Sequence, residues 1–86
     1  MDRRHDDILT TRLEAILNTG ITFIAWSEIY RWYDVQKIAA GTWRDIRSRW
    51  QEISRGKYGL LKQIDLPNAG GIYLIADKHL KAFYED

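Results

Sequence analysis

Four large apolar residues recur at helical spacing between residues 42 and 54, and this pattern constrains the fold most strongly. Trp43, Ile46, Trp50 and Ile53 fall within an arc of roughly 80° on a helical wheel. A chain of 86 residues without cysteine has a small core and no disulfides, so it needs nearly every bulky apolar side chain. We therefore expect a helix over 42–54 that buries all four.

The predicted start of this helix comes from a local motif. Thr42 is followed three positions later by Asp45, a variant of the capping box in which both side chains hydrogen-bond the first backbone amides of a helix. The motif therefore predicts that the helix begins near Thr42.

The side of this helix opposite the apolar arc is polar and basic. Its residues are Arg44, Ser48, Gln51 and Arg55, with Arg47 on one flank, and we call these five the basic face. On the other flank Arg49 is spaced to pair with Asp45 and Glu52. Arg47 has no acidic residue at such a spacing. The basic face is therefore either a solvated helix surface or a surface for a negatively charged partner.

The charge distribution favours such a partner. The net charge is only +1, but residues 1–30 sum to −2, residues 31–62 to +5 and residues 63–86 to −2. A basic segment between two acidic ones indicates a polarised surface that attracts polyanions.

The residues before this helix predict two further helices and a short extended segment. The first helix is expected to be capped by Asp6 or Asp7 and to end at Gly20, with residues 1–6 frayed. Its apolar stripe consists of Leu9, Leu13, Ile16 and Leu17. Residues 21–23 are β-prone, residues 25–33 predict a second helix, and residues 34–41 predict a turn with an extra helical turn inside it.

After residue 59 the apolar period changes from helical to alternating. Residues 60–66 and 71–76 are apolar-rich, and the intervening Pro67-Asn68-Ala69-Gly70 is typical of a loop, so we predict a β-hairpin. A short last helix is expected from Asp77, with Leu80, Phe83 and Tyr84 as its apolar stripe.

This order of elements resembles the winged helix-turn-helix superfamily. The stretch TWRDIRSRW lies in the place of the recognition helix, and YGLL and GGIYLI lie in the place of the strands that flank a wing. The resemblance implies a single α+β domain over 1–86, with a three-helix core, a C-terminal β-hairpin wing and a short last helix.

In DNA-binding members of that superfamily the third helix enters the major groove and the wing touches the DNA backbone or minor groove. Carried over by position, the implied DNA-binding residues are Thr42, Arg44, Arg47, Ser48, Gln51, Arg55, Lys57 and Lys62. Arg44 and Ser48 are expected at base edges, and the other cations at phosphates. The wing tip has no Lys or Arg, so it offers only backbone or Asn68 contacts.

A second surface is predicted from the aromatic residues of the second helix. Trp26, Tyr30, Trp32 and Tyr33 occupy more than one narrow arc, so some must be partly exposed. They either cover the edge of the core with their polar tips in water, or form a dimer or protein interface, where Trp and Tyr are common anchors. The latter would suit a protein-interaction module, such as an adaptor, an inhibitor or a small subunit of a larger assembly.

The expected function is sequence-specific binding of double-stranded DNA by a small transcriptional regulator of bacterial, plasmid or phage type. A homodimer or another protein partner is expected, because a monomer this small binds DNA weakly. RNA binding shares the electrostatics and stays open. No catalytic group, cofactor, metal site, small-molecule substrate or membrane segment is predicted, and a cytoplasmic location is expected.

Overall fold

A computed structural model describes residues 1–81, which form a small α+β structure with three α-helices and one three-stranded antiparallel sheet. In chain order the elements are α1 (Arg3–Thr19), β1 (Ile21–Ala25), α2 (Trp26–Tyr33), α3 (Ala40–Ser54), β2 (Leu61–Ile64), β3 (Gly71–Ala76) and a 3₁₀ turn (Asp77–His79).

The sheet has the order β1-β3-β2, so β3 lies in the centre. Ile75 of β3 pairs with Ile21 of β1 on one side and with Lys62 of β2 on the other. The predicted hairpin is confirmed, and the predicted extended segment at 21–23 becomes a five-residue strand. The backbone N–H of Trp26 donates to the Gly70 carbonyl at 3.0 Å. This bond ties the end of the hairpin loop to the first turn of α2.

The core lies between the helices and one face of the sheet. α1 contributes the stripe predicted from its periodicity, of which Leu9, Leu13 and Ile16 are fully buried. The other buried apolar residues are Ile24, Ile29, Trp32, Ile46, Trp50, Ile72, Leu74 and Ala76. Because a domain this small has little apolar surface to bury, each of these side chains carries a large share of the stability.

The first helix begins earlier than predicted. Its N-cap is Asp2, whose carboxylate accepts from the Arg4 backbone N–H at 2.8 Å, so the prediction of a cap at Asp6 or Asp7 is wrong. The residues expected to be frayed are helical from Arg3 onward. The predicted end is confirmed: Gly20 adopts the left-handed conformation, with φ of 95°, and donates to the Ile16 carbonyl.

The third helix also begins earlier than predicted, at Ala40, and no side chain caps it. The capping box at Thr42 is wrong, and residues 34–39 contain no helical turn. Ala and Gly at 40 and 41 continue the helix because nothing in the preceding turn breaks it. Of the four residues of the apolar arc, Ile46 and Trp50 are buried, whereas Trp43 and Ile53 are half-buried and pack against the core edge.

The last predicted helix is largely absent from the described residues. Asp77–His79 form a 3₁₀ turn, and Leu80 is extended and 49% exposed. Phe83 and Tyr84, which were expected to complete its apolar stripe, lie outside the described residues.

A partly buried ion pair at the edge of the core joins α1, β1 and α2. Arg12 contacts both carboxylate oxygens of Glu28, at 2.8 and 2.7 Å, and donates to the Phe23 carbonyl at 3.0 Å. Glu28 also accepts from the Ala25 N–H at 3.0 Å and so satisfies a free amide at the start of α2. The Arg12 guanidinium lies 5.8 Å from the Trp32 ring centroid, within cation–π range. These contacts orient α2, against which α3 is placed.

This ion pair predicts an acid-sensitive component of stability. The hydrogen bond from Arg12 holds the pKa of Glu28 below its ordinary value of 4.5. A carboxylate with a lowered folded-state pKa stabilises the fold above its unfolded pKa and loses that effect as pH falls through the folded value. We expect Glu28→Gln to cost about 1 kcal/mol of unfolding free energy at pH 7, reduced by partial exposure of the pair. Urea unfolding of both proteins at pH 7 and at pH 3 should show that their difference in unfolding free energy is smaller at pH 3. A difference that is the same at both pH values would contradict this prediction.

Candidate nucleic-acid interface

The five residues of the basic face all lie exposed on α3. The helix presents them outward because Ile46 and Trp50 on its opposite side are fixed in the core. From Arg44 to Arg55 the rise of an α-helix gives a stripe about 16 Å long. This stripe is long enough to follow the floor of a DNA major groove, which is about 12 Å wide and admits one helix.

The cations of this region have no ion-pair partner among residues 1–81. The ion pairs there involve Arg4, Arg12 and Arg49, and not Arg44, Arg47 or Arg55. Lys57 and Lys62 are likewise exposed and outside these pairs. The positive charge on this side of α3 therefore lacks an internal counterion within the described residues.

Arg49 differs because it is held by the protein's own carboxylates. Its Nε donates to Asp45 at 2.9 Å, as the i,i+4 spacing predicts, and it also pairs with Asp6 of α1. The prediction that Glu52 is its second partner is wrong. Asp6 is the partner because α1 packs against that side of α3. Arg49 is therefore an internal tie rather than part of the basic face.

The same tie reaches α2 through Tyr33, whose hydroxyl donates to Asp45 at 2.7 Å. Burial raises the pKa of Tyr33, and its bond to Asp45 raises it further. Partial burial opposes ionisation of Asp45, but its bonds from Tyr33 and Arg49 outweigh that effect and lower its pKa. The ionised Asp45 thus links α2 to α3, while Asp6 links α1. Together they fix the rotation of α3 and hence the direction of the basic face.

Arg55 occupies an unusual backbone position. It terminates α3 in the left-handed region, with φ of 54° and ψ of 32°, and its N–H donates to the Gln51 carbonyl at 2.9 Å. Glycine is the usual residue at such a position, because a Cβ there costs roughly 1–2 kcal/mol. Asp34, which ends α2, adopts the same conformation with φ of 50°, so this backbone position alone assigns no role to the Arg55 side chain.

The structure groups the remaining cations into two pairs. Arg47 and Lys62 line one cleft, between α3 and β2. Arg55 and Lys57 line another, beside the turn that follows α3. The structure therefore places Lys62 of the hairpin near Arg47, and Lys57 near Arg55, at two separate clefts.

Two predicted site residues are largely buried. Thr42 is 8% exposed, because its side chain lies on the inward side of α3 beside Ile46, so little of it is free for the expected DNA contact, which stays a prediction. Trp32 is 3% exposed and belongs to the core beneath Arg12, so little of its ring is free for the expected protein interface, which also stays a prediction.

The other three aromatic residues of α2 lie at the core edge. Tyr33 is half-buried and bonded to Asp45. Trp26 is half-buried and packs edge-on against Trp43, with ring centroids 6.3 Å apart. Tyr30 is 39% exposed. Trp26 and Tyr30 line an open cleft with Trp43, so they are the two members of the predicted aromatic surface that reach solvent.

The sheet carries an apolar surface that was not predicted from the sequence. Strand alternation places Ile21, Phe23, Ile64, Tyr73 and Ile75 on the face opposite the core, together with Lys62, which pairs with Ile75; we call the five apolar residues the outer sheet face. Ile21 is 40% and Ile64 36% exposed, and the Phe23 and Tyr73 rings lie 4.9 Å apart. The signal was present in Ile72-Tyr73-Leu74-Ile75, which is apolar on both faces, whereas a half-exposed strand usually alternates with polar residues.

No protein-family model, curated protein or solved structure matches the chain. Within the described residues no helix is both long and apolar enough to cross a bilayer.

Proposed function

We propose that the protein binds double-stranded DNA in a sequence-specific manner through α3, as a small transcriptional regulator with a winged helix-turn-helix arrangement. The observation that carries this proposal is the division of α3. Ile46 and Trp50 lock one side into the core, and the basic face on the other side has no ion-pair partner within residues 1–81.

The order of elements supports the winged helix arrangement. Helix, strand, two helices and a hairpin follow one another, and β1 joins the hairpin in one sheet. In this arrangement α3 is the recognition helix and residues 65–70 form the tip of the wing. The tip carries no basic residue, so the wing contributes little to affinity and α3 supplies most of the contacts.

The residue types of the basic face suit base recognition. Arg44 and Ser48 lie nearest the amino end of the exposed face and are proposed to contact base edges, with Gln51 as a partner for adenine. Arg47, Arg55, Lys57 and Lys62 are proposed to bind phosphates, which set the register of the helix on the duplex. A dimer contacting two half-sites about one helical turn apart would provide the affinity that one small domain lacks.

The test of this function is the salt dependence of binding to a mixed-sequence duplex. The four cations proposed to bind phosphates, Arg47, Arg55, Lys57 and Lys62, predict a slope of log affinity against log salt of about −4. Fluorescence anisotropy of a labelled duplex, at salt concentrations from about 25 to about 200 mM, measures this slope. Selection from a random-sequence library then tests specificity. A slope near zero, or no enriched sequence, would contradict the corresponding part of the proposal.

Replacement of Arg55 by glycine is expected to move stability and binding in opposite directions. Glycine adopts φ of 54° without the Cβ penalty, so Arg55→Gly should stabilise the fold by about 1 kcal/mol. Loss of one phosphate contact should lower DNA affinity several-fold and evenly across sequences. Thermal unfolding and anisotropy measure the two effects. If the Arg55→Gly variant gains stability but keeps its full affinity for DNA, Arg55 does not contribute to DNA binding.

The alternative function is a protein-interaction module, and the outer sheet face is the observation that favours it. Five apolar residues on one sheet face resemble the apolar patches that mark protein interfaces. Trp26 and Tyr30 offer a second such surface. Salt-insensitive DNA retention together with a stable complex lost in Ile21→Lys or Ile64→Lys would favour this alternative.

A further inference from the structure

A cleft opens between α3 and the β2–β3 hairpin. Its volume is about 390 Å³, within the usual range for small-molecule sites. The floor is apolar and the rim polar. The floor residues are Trp43, Ile46, Leu61 and Leu74, and the rim residues are Arg47, Lys62 and Gln63.

The floor is a preformed surface. Ile46 and Leu74 are buried at 2% and 3% exposure, so the cleft opens directly onto the core. Trp43 and Leu61 are half-buried and pack against that core. Because Ile46 and Leu74 are almost fully buried, the surface that the floor offers to a ligand is mainly the indole of Trp43 and the side chain of Leu61, at positions fixed by packing.

Among residues 1–81 the rim has a single sign of charge. Arg47 of α3 and Lys62 of the edge strand β2 line the cleft, and no carboxylate of these residues does. Lys62 pairs with Ile75 and so reaches the rim from the outer side of the sheet edge, and neither cation belongs to an ion pair within residues 1–81. Gln63 adds an amide that donates or accepts. Two cations at the mouth of an apolar cleft repel cationic ligands and favour an anion whose body is apolar.

We propose that this cleft binds a small amphipathic carboxylate, a molecule with a flat aromatic body and one carboxylate. The aromatic body lies against Trp43 and Leu61, and the carboxylate is held by Arg47, whose guanidinium matches it bidentately, with Lys62 as the second cation. This site shares Trp43 with the aromatic cleft at Trp26 and Tyr30, and the rest of its lining is different.

The ligand acts as an effector if the proposed DNA binding is correct, and this part of the inference rests on that function. Arg47 and Lys62 are proposed phosphate ligands, so a carboxylate that occupies them removes both from the DNA interface. The expected effect is a DNA affinity about tenfold lower, with a salt slope less steep by about 2. By linkage, DNA lowers affinity for the carboxylate by the same factor.

The test uses the full chain without DNA and 1-naphthoate as the probe. In a two-dimensional ¹H–¹⁵N NMR titration, the indole N–H of Trp43 and the amides of Lys62 and Gln63 should shift saturably. The expected dissociation constant is near or below about 1 mM. Trp43→Phe assigns the indole signal. The neutral naphthalene-1-carboxamide should bind at least tenfold more weakly.

Matched variants separate this site from the rest of the basic face. The double variant Arg47→Gln, Lys62→Gln should bind 1-naphthoate at least tenfold more weakly. Arg44 does not line the cleft, so the Arg44→Gln variant should bind 1-naphthoate with unchanged affinity. All three positions are exposed, so unfolding temperatures should match and confirm folding.

Several outcomes would overturn the inference. They are the absence of saturable shifts, equal binding of the neutral amide, unchanged binding by the double variant, or shifts confined to Trp26 and Tyr30. Because these measurements contain no DNA, failure of the proposed DNA binding leaves them intact. Binding of 1-naphthoate that leaves DNA affinity unchanged would keep the site but remove its effector role.

Discussion

Joint replacement of Arg44 and Arg47 by alanine is expected to weaken binding to a specific duplex about a hundredfold. Arg44 lies at the amino end of the basic face and is proposed to reach base edges, and Arg47 lies on the flank and is proposed to reach phosphate. Loss of Arg44 should also relax sequence preference, because its guanidinium discriminates between bases. Anisotropy with the selected duplex and with single-base variants of it measures both effects.

The matched control is the joint replacement of Arg3 and Arg4 by alanine. It removes the same charge from exposed positions of α1. α1 meets α3 through Arg49, which points about 140° around the helix from Arg44. We expect affinity to stay within about threefold, the residual effect of net charge. If both double variants lose affinity equally, the effect is one of general charge and the basic face is not the binding site.

Replacement of Gly71 by alanine is expected to destabilise the fold by about 3 kcal/mol. A Cβ at this position would lie 2.3 Å from the Ile24 carbonyl oxygen and 2.7 Å from the Ala25 Cα. Both are backbone atoms of β1, the strand that pairs with β3 at this residue. They cannot move without opening the sheet, so the melting temperature should fall by about 15 °C.

Gly41→Ala is the control for this substitution. Gly41 lies in the first turn of α3, and a Cβ there meets no atom within 4 Å. Alanine should therefore leave stability unchanged or raise it by up to about 1 kcal/mol. Thermal unfolding of both variants measures the contrast. A Gly71→Ala variant as stable as Gly41→Ala would show that β1 and β3 do not pair at this register.

The sequence predicts features that depend on local periodicity. The inward position of Ile46 and Trp50, and the exposure of Arg44 on the other side, follow from 3.6 residues per turn. The hairpin follows from alternation and from turn residues. Each of these signals lies within a short window, so no knowledge of the rest of the fold is required.

Features that depend on tertiary packing could not be predicted in this way. Asp2, Asp6 and Asp7 are all competent caps, and the choice of Asp2 accompanies the engagement of Asp6 by Arg49. Trp32 was predicted to be partly exposed in a protein interface, because a helical wheel for α2 has aromatic residues on several sides. Its burial depends on Arg12, twenty positions earlier, which covers its ring.

Prediction of the outer sheet face would have required knowledge of the pairing of β1 with β3. Ile21 and Phe23 are close to Ile75 and Tyr73 only because the first strand joins the hairpin. The Arg12–Glu28 ion pair was missed for the same reason, since it links two helices through β1.

The most direct test of the central claim is a map of backbone amide shifts on addition of a mixed-sequence DNA duplex to the ¹⁵N-labelled protein. Because Arg44, Arg47 and Arg55 lack counterions within residues 1–81, we predict that the largest shifts fall on residues 43–57 and on Lys62, and that they diminish as salt is raised. Shifts centred on the outer sheet face, or none at low salt, would contradict the account.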